Sequence, residues 1–379
     1  MAGYRVAASG VDWRHAPNDG LHAPSDQRES PQFRFAASLQ VKPLSNFLSA
    51  CALLLGAAWL GLAGVTAQAQ APGEPSAVIK VSCDRDCLIG FARRYMAALA
   101  SHDPSSLPLA ADVRFTENDV VIPIGKGLWR TISRVAPTGL EAADALTGNA
   151  AWFGVVWEHG NPAIYAMRLR VSAGRIAEVE TVVHRKTGMP APFGDPAKVV
   201  HDPLFQQELP PEARRSRERL IAVAQSYFNT VERNDGMVFA HFTDDCGRLE
   251  NGISTTAAPK GGSSGNAASW ATGCENQFKL GIYRINKRVR ERRFPIVDTE
   301  RGVVVASGFF DHDNSFDRYR LTDGREMKTA LKWPNSITLL EAFRINAGDI
   351  QRIEAVFTYV PYFMPNPWAT GRPYSELGQ

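Results

Sequence analysis

Nowhere in its 379 residues does the chain carry a P-loop, a dinucleotide-binding glycine fingerprint or an H-E-x-x-H pair, and its G-x-S-x-G match, GGSSG at 261–265, lies in a Gly/Ser-rich insertion rather than at an elbow between a strand and a helix. Each of those patterns brings a phosphate, a nicotinamide, a zinc ion or a nucleophilic serine into reach. Without them the expectation is chemistry that needs no cofactor. Histidine is scarce, at eight residues, and no pair of them stands at ligand spacing beside the cysteines. The spacing of Cys83 and Cys87 is also wrong for a zinc knuckle, so no metal site is expected. A charge of one sign is missing too, with 42 basic residues against 39 acidic ones. That balance gives no general pull toward nucleic acid or a membrane surface. The apolar run ALLLGAAWLGLAGV, residues 52–65, falls short of the ~20 residues that a spanning helix needs.

What that run does resemble is the core of a secretory signal. Lys42 precedes it and Ala67-Gln68-Ala69 follows, so cleavage after Ala69 is expected, with export to the periplasm or beyond. No stable membrane insertion is expected after cleavage. Residues 1–40 are polar, rich in proline, serine and arginine, and show no periodicity. They read as a disordered extension or as a start assigned too early, with the second preferred. Beyond the signal remain Cys83, Cys87, Cys246 and Cys274. An even number in an exported chain reads as two disulfides, Cys246 with Cys274 and Cys83 with Cys87. The second is feasible only if the chain there is not regular helix.

The stretch RVSAGRIAEVE, residues 170–180, returns as RINAGDIQRIE, residues 344–354. Three further anchors precede it in the same order in both halves. Tyr95-x3-Leu99-x3-Asp103 matches Tyr227-x3-Val231-x3-Asp235, and Glu117-Asn118 matches Glu250-Asn251. GVVWEHGN at 154–161 matches GFFDHDN at 308–314, where an acid–His pair closes an apolar run. Four ordered anchors point to a duplicated domain rather than to a short solenoid repeat. Apolar residues at helical spacing predict helices over 85–101 and 214–233, each followed by β-branched and aromatic runs. Ala173-Gly174 and Ala347-Gly348 read as tight hairpin turns. The order predicts an α+β chain with domains at 80–196 and 214–370 and a Pro-rich linker at 197–213. Residues 255–273 read as a mobile insertion of the second half, tethered by Cys246 and Cys274.

RFTEND and GKGLW in the first half resemble nuclear-transport-factor-2-like, or SnoaL-like, domains. So do GRLENG, VDTERG, FDH and IEAVFTYVPYFMPNPW in the second. The chain resembles a secreted two-domain family of fungi and bacteria, over about residues 80–370. The resemblance implies two cone-shaped domains, each an N-terminal helix packed on a curved antiparallel sheet, paired as an internal pseudo-dimer. It implies an apolar pocket for a small cyclic or aromatic molecule, and leaves the reaction open.

In such a pocket Glu117 is a candidate base and Asn118 a polarising donor. The alternative has the Glu–Asn pairs bonding Arg114 or Arg248 and capping a strand entry. Glu180 and His184 share strand parity and form a candidate acid/base pair. Trp129, Trp157, Glu250, Asn251 and Tyr359 are candidate ligand contacts, against a reading of the aromatics as core. Glu158-His159 and Asp311-His312 read as hairpin-turn residues rather than dyads. Arg288, Arg290 and Arg292 alternate, placing three cations on one strand face, which reads as solvated. Two functions follow: a cofactor-independent isomerase, dehydratase, lyase or hydrolase, or a secreted binding module without catalysis.

Overall fold

The structure, a computed structural model, describes residues 83–187, 191–256 and 273–369. The signal segment, the N-terminal extension and most of the insertion at 255–273 lie outside the described residues.

The first half opens with α1, Arg85–Ala100, whose N-cap Asp84 accepts a hydrogen bond from the Cys87 backbone N–H at 2.9 Å. Cys83 therefore stands just ahead of the helix, which is why it can bond Cys87 across a Cα separation of 5.3 Å. Then come β1 (Leu109–Glu117), β2 (Val120–Val121), the short α2 (Leu128–Thr131) and β3 (Ile132–Val135). β4 (Leu140–Asp144), β5 (Asn149–Glu158), β6 (Asn161–Ser172) and β7 (Arg175–Arg185) complete it. The second half repeats the plan with α3 (Arg217–Arg233), β8 (Phe242–Glu250), β9 (Ile253–Ser254) and α4 (Gly273–Leu280). β10 (Arg288–Asp298) and β11 (Val303–His312) follow. A small hairpin, β12 (Arg318–Arg320) and β13 (Glu326–Lys328), then precedes β14 (Asn335–Asn346) and β15 (Asp349–Val360). The second disulfide, Cys246–Cys274, ties β8 to α4.

The expected helices are present, the second starting three residues late because Ser216 caps it after a proline-rich turn. Both hairpin turns have the positive φ pair of a two-residue turn that matches strand twist. The angles are 49° and 70° at Ala173-Gly174, and 54° and 102° at Ala347-Gly348. Sheet order is β2-β1-β7-β6-β5-β3 in the first half, with β4 also on β5, and β10-β11-β14-β15-β8-β9 in the second. Neither sheet is wholly antiparallel, which corrects the expectation. β1 runs parallel to β7, and β8 parallel to β15. Alternation of side chains marks a strand but not the direction of its partner.

Alternation does assign the faces. Inward residues of each sheet pack on that half's own helices, as Val179 and Val183 do in the first and Ile353 in the second. Outward residues of the two sheets pack on each other: Phe153, Val155, Ile164, Ala166 and Val182 meet Ile296, Val303, Val305, Leu340, Ala342 and Val356. Each large side chain buried this way contributes ~1.5–3 kcal/mol. The Pro-rich stretch between the halves is not a loose spacer. It inserts Phe205 into that outward core and buries Leu209. Its backbone is held by Leu209 N–H donating to Glu300 O at 2.8 Å and by Arg344 donating to Gln207 O at 2.8 Å.

Candidate functional site

In the Glu–Asn pairs kept in both halves, the two asparagines and Glu117 do a structural job. Asn118 and Asn251 sit past the ends of β1 and β8 in the left-handed region, φ 50° and 47°. Asn118 accepts from Val183 N–H at 2.7 Å and donates to Val183 O at 3.2 Å. Asn251 treats Phe357 the same way, at 2.9 and 3.0 Å. Each amide thereby continues the parallel ladder one residue beyond its strand. Glu117 accepts from the Leu128 backbone at 2.7 Å and from Arg185 at 2.9 Å, fixing the start of α2. Arg114, its expected partner, instead lies 4.9 Å over the ring of Trp368.

Glu180 and His184 share a face, as parity requires, but it is the outward face. Glu180 accepts from Arg168 at 2.9 Å, from Ser307 at 3.2 Å, and from Arg293 of the other half. Burial pushes its carboxyl up, and the guanidiniums of Arg293 and Arg168 outweigh that, holding it below the ordinary range. His184 packs between Phe193 and Phe357, and burial lowers its imidazole to about 4. The structure does not bring the two together as a dyad. Trp129 is core, edge-on to Tyr95 at 5.4 Å, and Trp157 lies under Arg134 at 3.5 Å.

Two further expectations change. Glu158-His159 does lead a tight turn, with φ 48° at His159. Asp311 and His312, however, are the last residues of β11, and His312 pairs with Asn335 of β14. The apolar run ends in a long excursion there, not a turn, so both side chains stay buried on opposite faces. Asp311 points outward to Arg290 at 2.8 Å and Ser336 at 2.6 Å, and His312 points inward. The three alternating arginines do not share a face, because Glu291 at φ 55° makes a bulge. Arg290 turns to Asp311, while Arg292 reaches Glu232 of α3 at 2.7 Å.

Inside the second sheet lies a cavity of about 380 Å³. Its floor is one row across three strands: Glu341 on β14 pairs Ala355 on β15, which pairs Glu250 on β8. The small Ala355 leaves room for the two carboxyls to approach over it. Arg248, two residues before Glu250 and on the same face, is fully buried. Its Nε is 3.5 Å from Glu250 and 3.1 Å from the Thr255 hydroxyl, and an Nη donates to Gln277 of α4 and to Tyr283. Its other Nη and the Glu341 Oε2 have no protein partner. Burial, then the neighbouring Glu250 charge, pushes the Glu341 carboxyl up to about 8, with Arg248 and Tyr227 opposing. It is therefore protonated, a donor, at neutral pH. Phe310, Ile337, Leu339, Phe357 and Tyr359 form the walls, and residues 327–331, beside the β12–β13 hairpin, close the far side. Burial raises the Tyr359 phenol to about 12.

Of the expected contacts, Glu250 and Tyr359 line this cavity; Trp129, Trp157 and Asn251 do not. Arg248 is expected only as a structural partner of the Glu–Asn pair, and it does lie 3.5 Å from Glu250; His312 is expected only as a turn residue, and Glu341 is not singled out. Glu341 left a signal, as the one acid in the inward series Ile337, Leu339, Glu341, Phe343. Among the described residues no group of three or more His, Cys, Asp or Glu side chains is placed to hold a metal ion.

Residues 213–357, most of the second half, match the model of a family described as a domain of unknown function (DUF8021). No curated protein matches the chain. Among solved structures the chain is similar to a protein from Sphaerobacter thermophilus, at 23% identity over 26% of this chain and 96% of that one, TM-score 0.19. It is also similar to a "putative ketosteroid isomerase" from Kribbella flavida, at 20% identity, 32% and 93% coverage and TM-score 0.22. AclR, a "putative hydroxylase" from Streptomyces galilaeus, matches at 12% identity, 43% and 93% coverage and TM-score 0.24.

Proposed function

We propose that the second half binds a mostly apolar small molecule carrying a carbonyl group and moves a proton on it without a cofactor. The observation that carries this is the Glu341–Ala355–Glu250 row, a protonated carboxyl and an ion-paired carboxylate facing one apolar cavity. Glu250 takes a proton from the carbon beside the carbonyl. Glu341 and the unpartnered Arg248 Nη donate hydrogen bonds to the oxygen as it gains charge. Where the ligand has a double bond β,γ to that carbonyl, the dienolate accepts the proton back from Glu250 at the γ carbon, and the double bond moves into conjugation, so atoms and charge balance as an isomerisation. A buried carboxylic acid is suited to this because it donates at neutral pH without adding a charge that must be solvated.

Export fits the same reading: two disulfides suit an oxidising compartment, and the run at 52–69 supplies a route. The sheet-to-sheet packing lets one chain serve as its own pseudo-dimer. A binding module without turnover is favoured by one observation, the Arg248–Glu250 pair, which engages the proposed base. A turnover screen of cyclic and linear β,γ-unsaturated ketones with wild type, Glu250→Gln and Glu341→Gln separates the two. Catalysis predicts that Glu250→Gln still binds while turnover falls by 10²-fold or more, on the order expected for a general base. Binding without turnover of any ketone leaves the module.

A further inference from the structure

The cavity has a second polar end, far from the carboxyls. His312 lies on the inward face of β11 opposite Asn335, whereas Glu341 lies six residues along β14 from that Asn335. At ~3.3 Å per residue the two ends are about 20 Å apart along the strand. Much of the remaining lining is apolar, with Phe310, Ile337, Leu339, Phe357 and Met327.

The chemistry of the far end follows from its hydrogen bonds. Asn335 donates from its amide to Trp333 O at 3.0 Å, which leaves its side-chain oxygen to face His312 Nδ1 at 3.1 Å. That oxygen only accepts, so Nδ1 carries the proton. Burial lowers the imidazole to about 4, so the ring is neutral and its Nε2 can only accept. The structure sets the Asn286 side-chain oxygen 2.7 Å from Nε2, one acceptor against another. Oxygen and nitrogen of an amide are interchangeable in outline, so the amide is turned over here, its NH₂ on Nε2 and its oxygen toward the cavity that Asn286 lines. The first half has no such end, since Glu158 and Asn161 join there through a tight turn.

We infer that the cavity takes an elongated ligand held at both ends, a carbonyl at Glu341 and Arg248 and a hydroxyl or N–H donor at Asn286. His312 is the positioning residue that orients the Asn286 amide. The inference rests on the proposed role of Glu341 and adds the shape and the second functional group of the ligand.

The test measures dissociation constants of methyl ketones of increasing chain length, each with and without a terminal hydroxyl. Wild type, Asn286→Leu and Glu341→Leu are compared, with melting curves as a check on folding. Affinity should rise with length. At one length the hydroxyl should add about five- to tenfold, the scale of one net hydrogen bond. Asn286→Leu should abolish that gain while plain ketones bind as before, a pattern that unfolded protein cannot give. Asn286→Ser, which keeps an acceptor, should restore part of it. If ketones bind through Glu341 but the hydroxyl adds nothing at any length, or its gain survives Asn286→Leu, the two-ended reading is overturned alone. If ketones bind no better than matching alkanes, or equally well to Glu341→Leu, the proposed function falls and this inference with it.

Discussion

The two halves share one frame and differ in what fills it. In the first, the row that crosses three strands reads Met167, Thr181, Glu117; in the second it reads Glu341, Ala355, Glu250. Phe115 stands where Arg248 stands. The first interior is closed by Phe115, Met167, Trp129 and Trp152, all in one apolar core. The second replaces two of those apolar positions with a buried cation and a buried acid, and has Ala355 where the first has Thr181. It also spends residues 313–334 where the first half uses a two-residue turn. A scaffold filled by hydrocarbon in one half encloses in the other a mostly apolar cavity with Arg248, Glu250 and Glu341 at its floor. Buried charge of this kind is costly to stability, and perturbed carboxyls cluster at functional sites.

Breaking the comparison at its most expensive point comes first. Arg248→Leu alone leaves Glu250 and Glu341 facing each other without their cation, and should cost ~3–5 kcal/mol in denaturant unfolding. Arg248→Phe with Glu341→Met transplants the first half's residues and should fold at close to wild-type stability or above it, while losing ligand binding. Equal destabilisation by both variants would show that the polar cluster is a fold requirement.

The disulfides sharpen the contrast next. Cys246–Cys274 closes a loop of 28 residues and Cys83–Cys87 a loop of 4. In the chain-entropy model, replacing each pair by serine should cost about 3.5 and about 2 kcal/mol respectively. Only the first should also weaken ligand binding, because it anchors α4, whose Gln277 holds Arg248.

Stability against pH separates the halves more gently. The folded state raises Glu341 from its ordinary 4.5 to about 8. A raised carboxyl contributes stability that is fully present below the unfolded value and is lost as pH rises through the folded value. Wild type should therefore lose stability between about pH 4.5 and 8 relative to Glu341→Gln, by an amount on the order of a few kcal/mol. Parallel pH profiles for the two proteins would contradict the protonated acid. The smallest effects belong to the shared asparagines: Asn118→Ala and Asn251→Ala should each cost ~1–3 kcal/mol, by leaving strand-end backbone groups unpaired. Asn118→Ala should leave ligand affinity unchanged.

The frame was legible because its rules are local. Helical spacing placed α1 and α3, Ala-Gly placed both hairpin turns, and four ordered anchors exposed the duplication. That all four cysteines bond follows from their even number once export is expected, and the structure has both expected pairs. What sequence could not give depends on distant neighbours. The parallel partners β1–β7 and β8–β15 are set by which edge a strand joins. The bulge at Glu291 redirects Arg292 to α3, and no alternation pattern marks it in advance. The candidate site went to Glu117-Asn118 and Glu180-His184 because acids beside amides and imidazoles look chemical. Asn118 in fact closes a ladder, and Glu180 and His184 face the other sheet. Glu341 was visible as an acid in an apolar series, but only its row with Glu250 gives that oddity a meaning.

The central claim is that the working cavity belongs to the second half. Hydrogen–deuterium exchange, with and without the tightest ketone from the screen, tests it most directly. The account predicts slowed exchange in residues 282–286, 327–331 and 337–341, and none in 115–131 or 163–167. Protection confined to 115–131 and 163–167 would contradict it and return the site to Glu117.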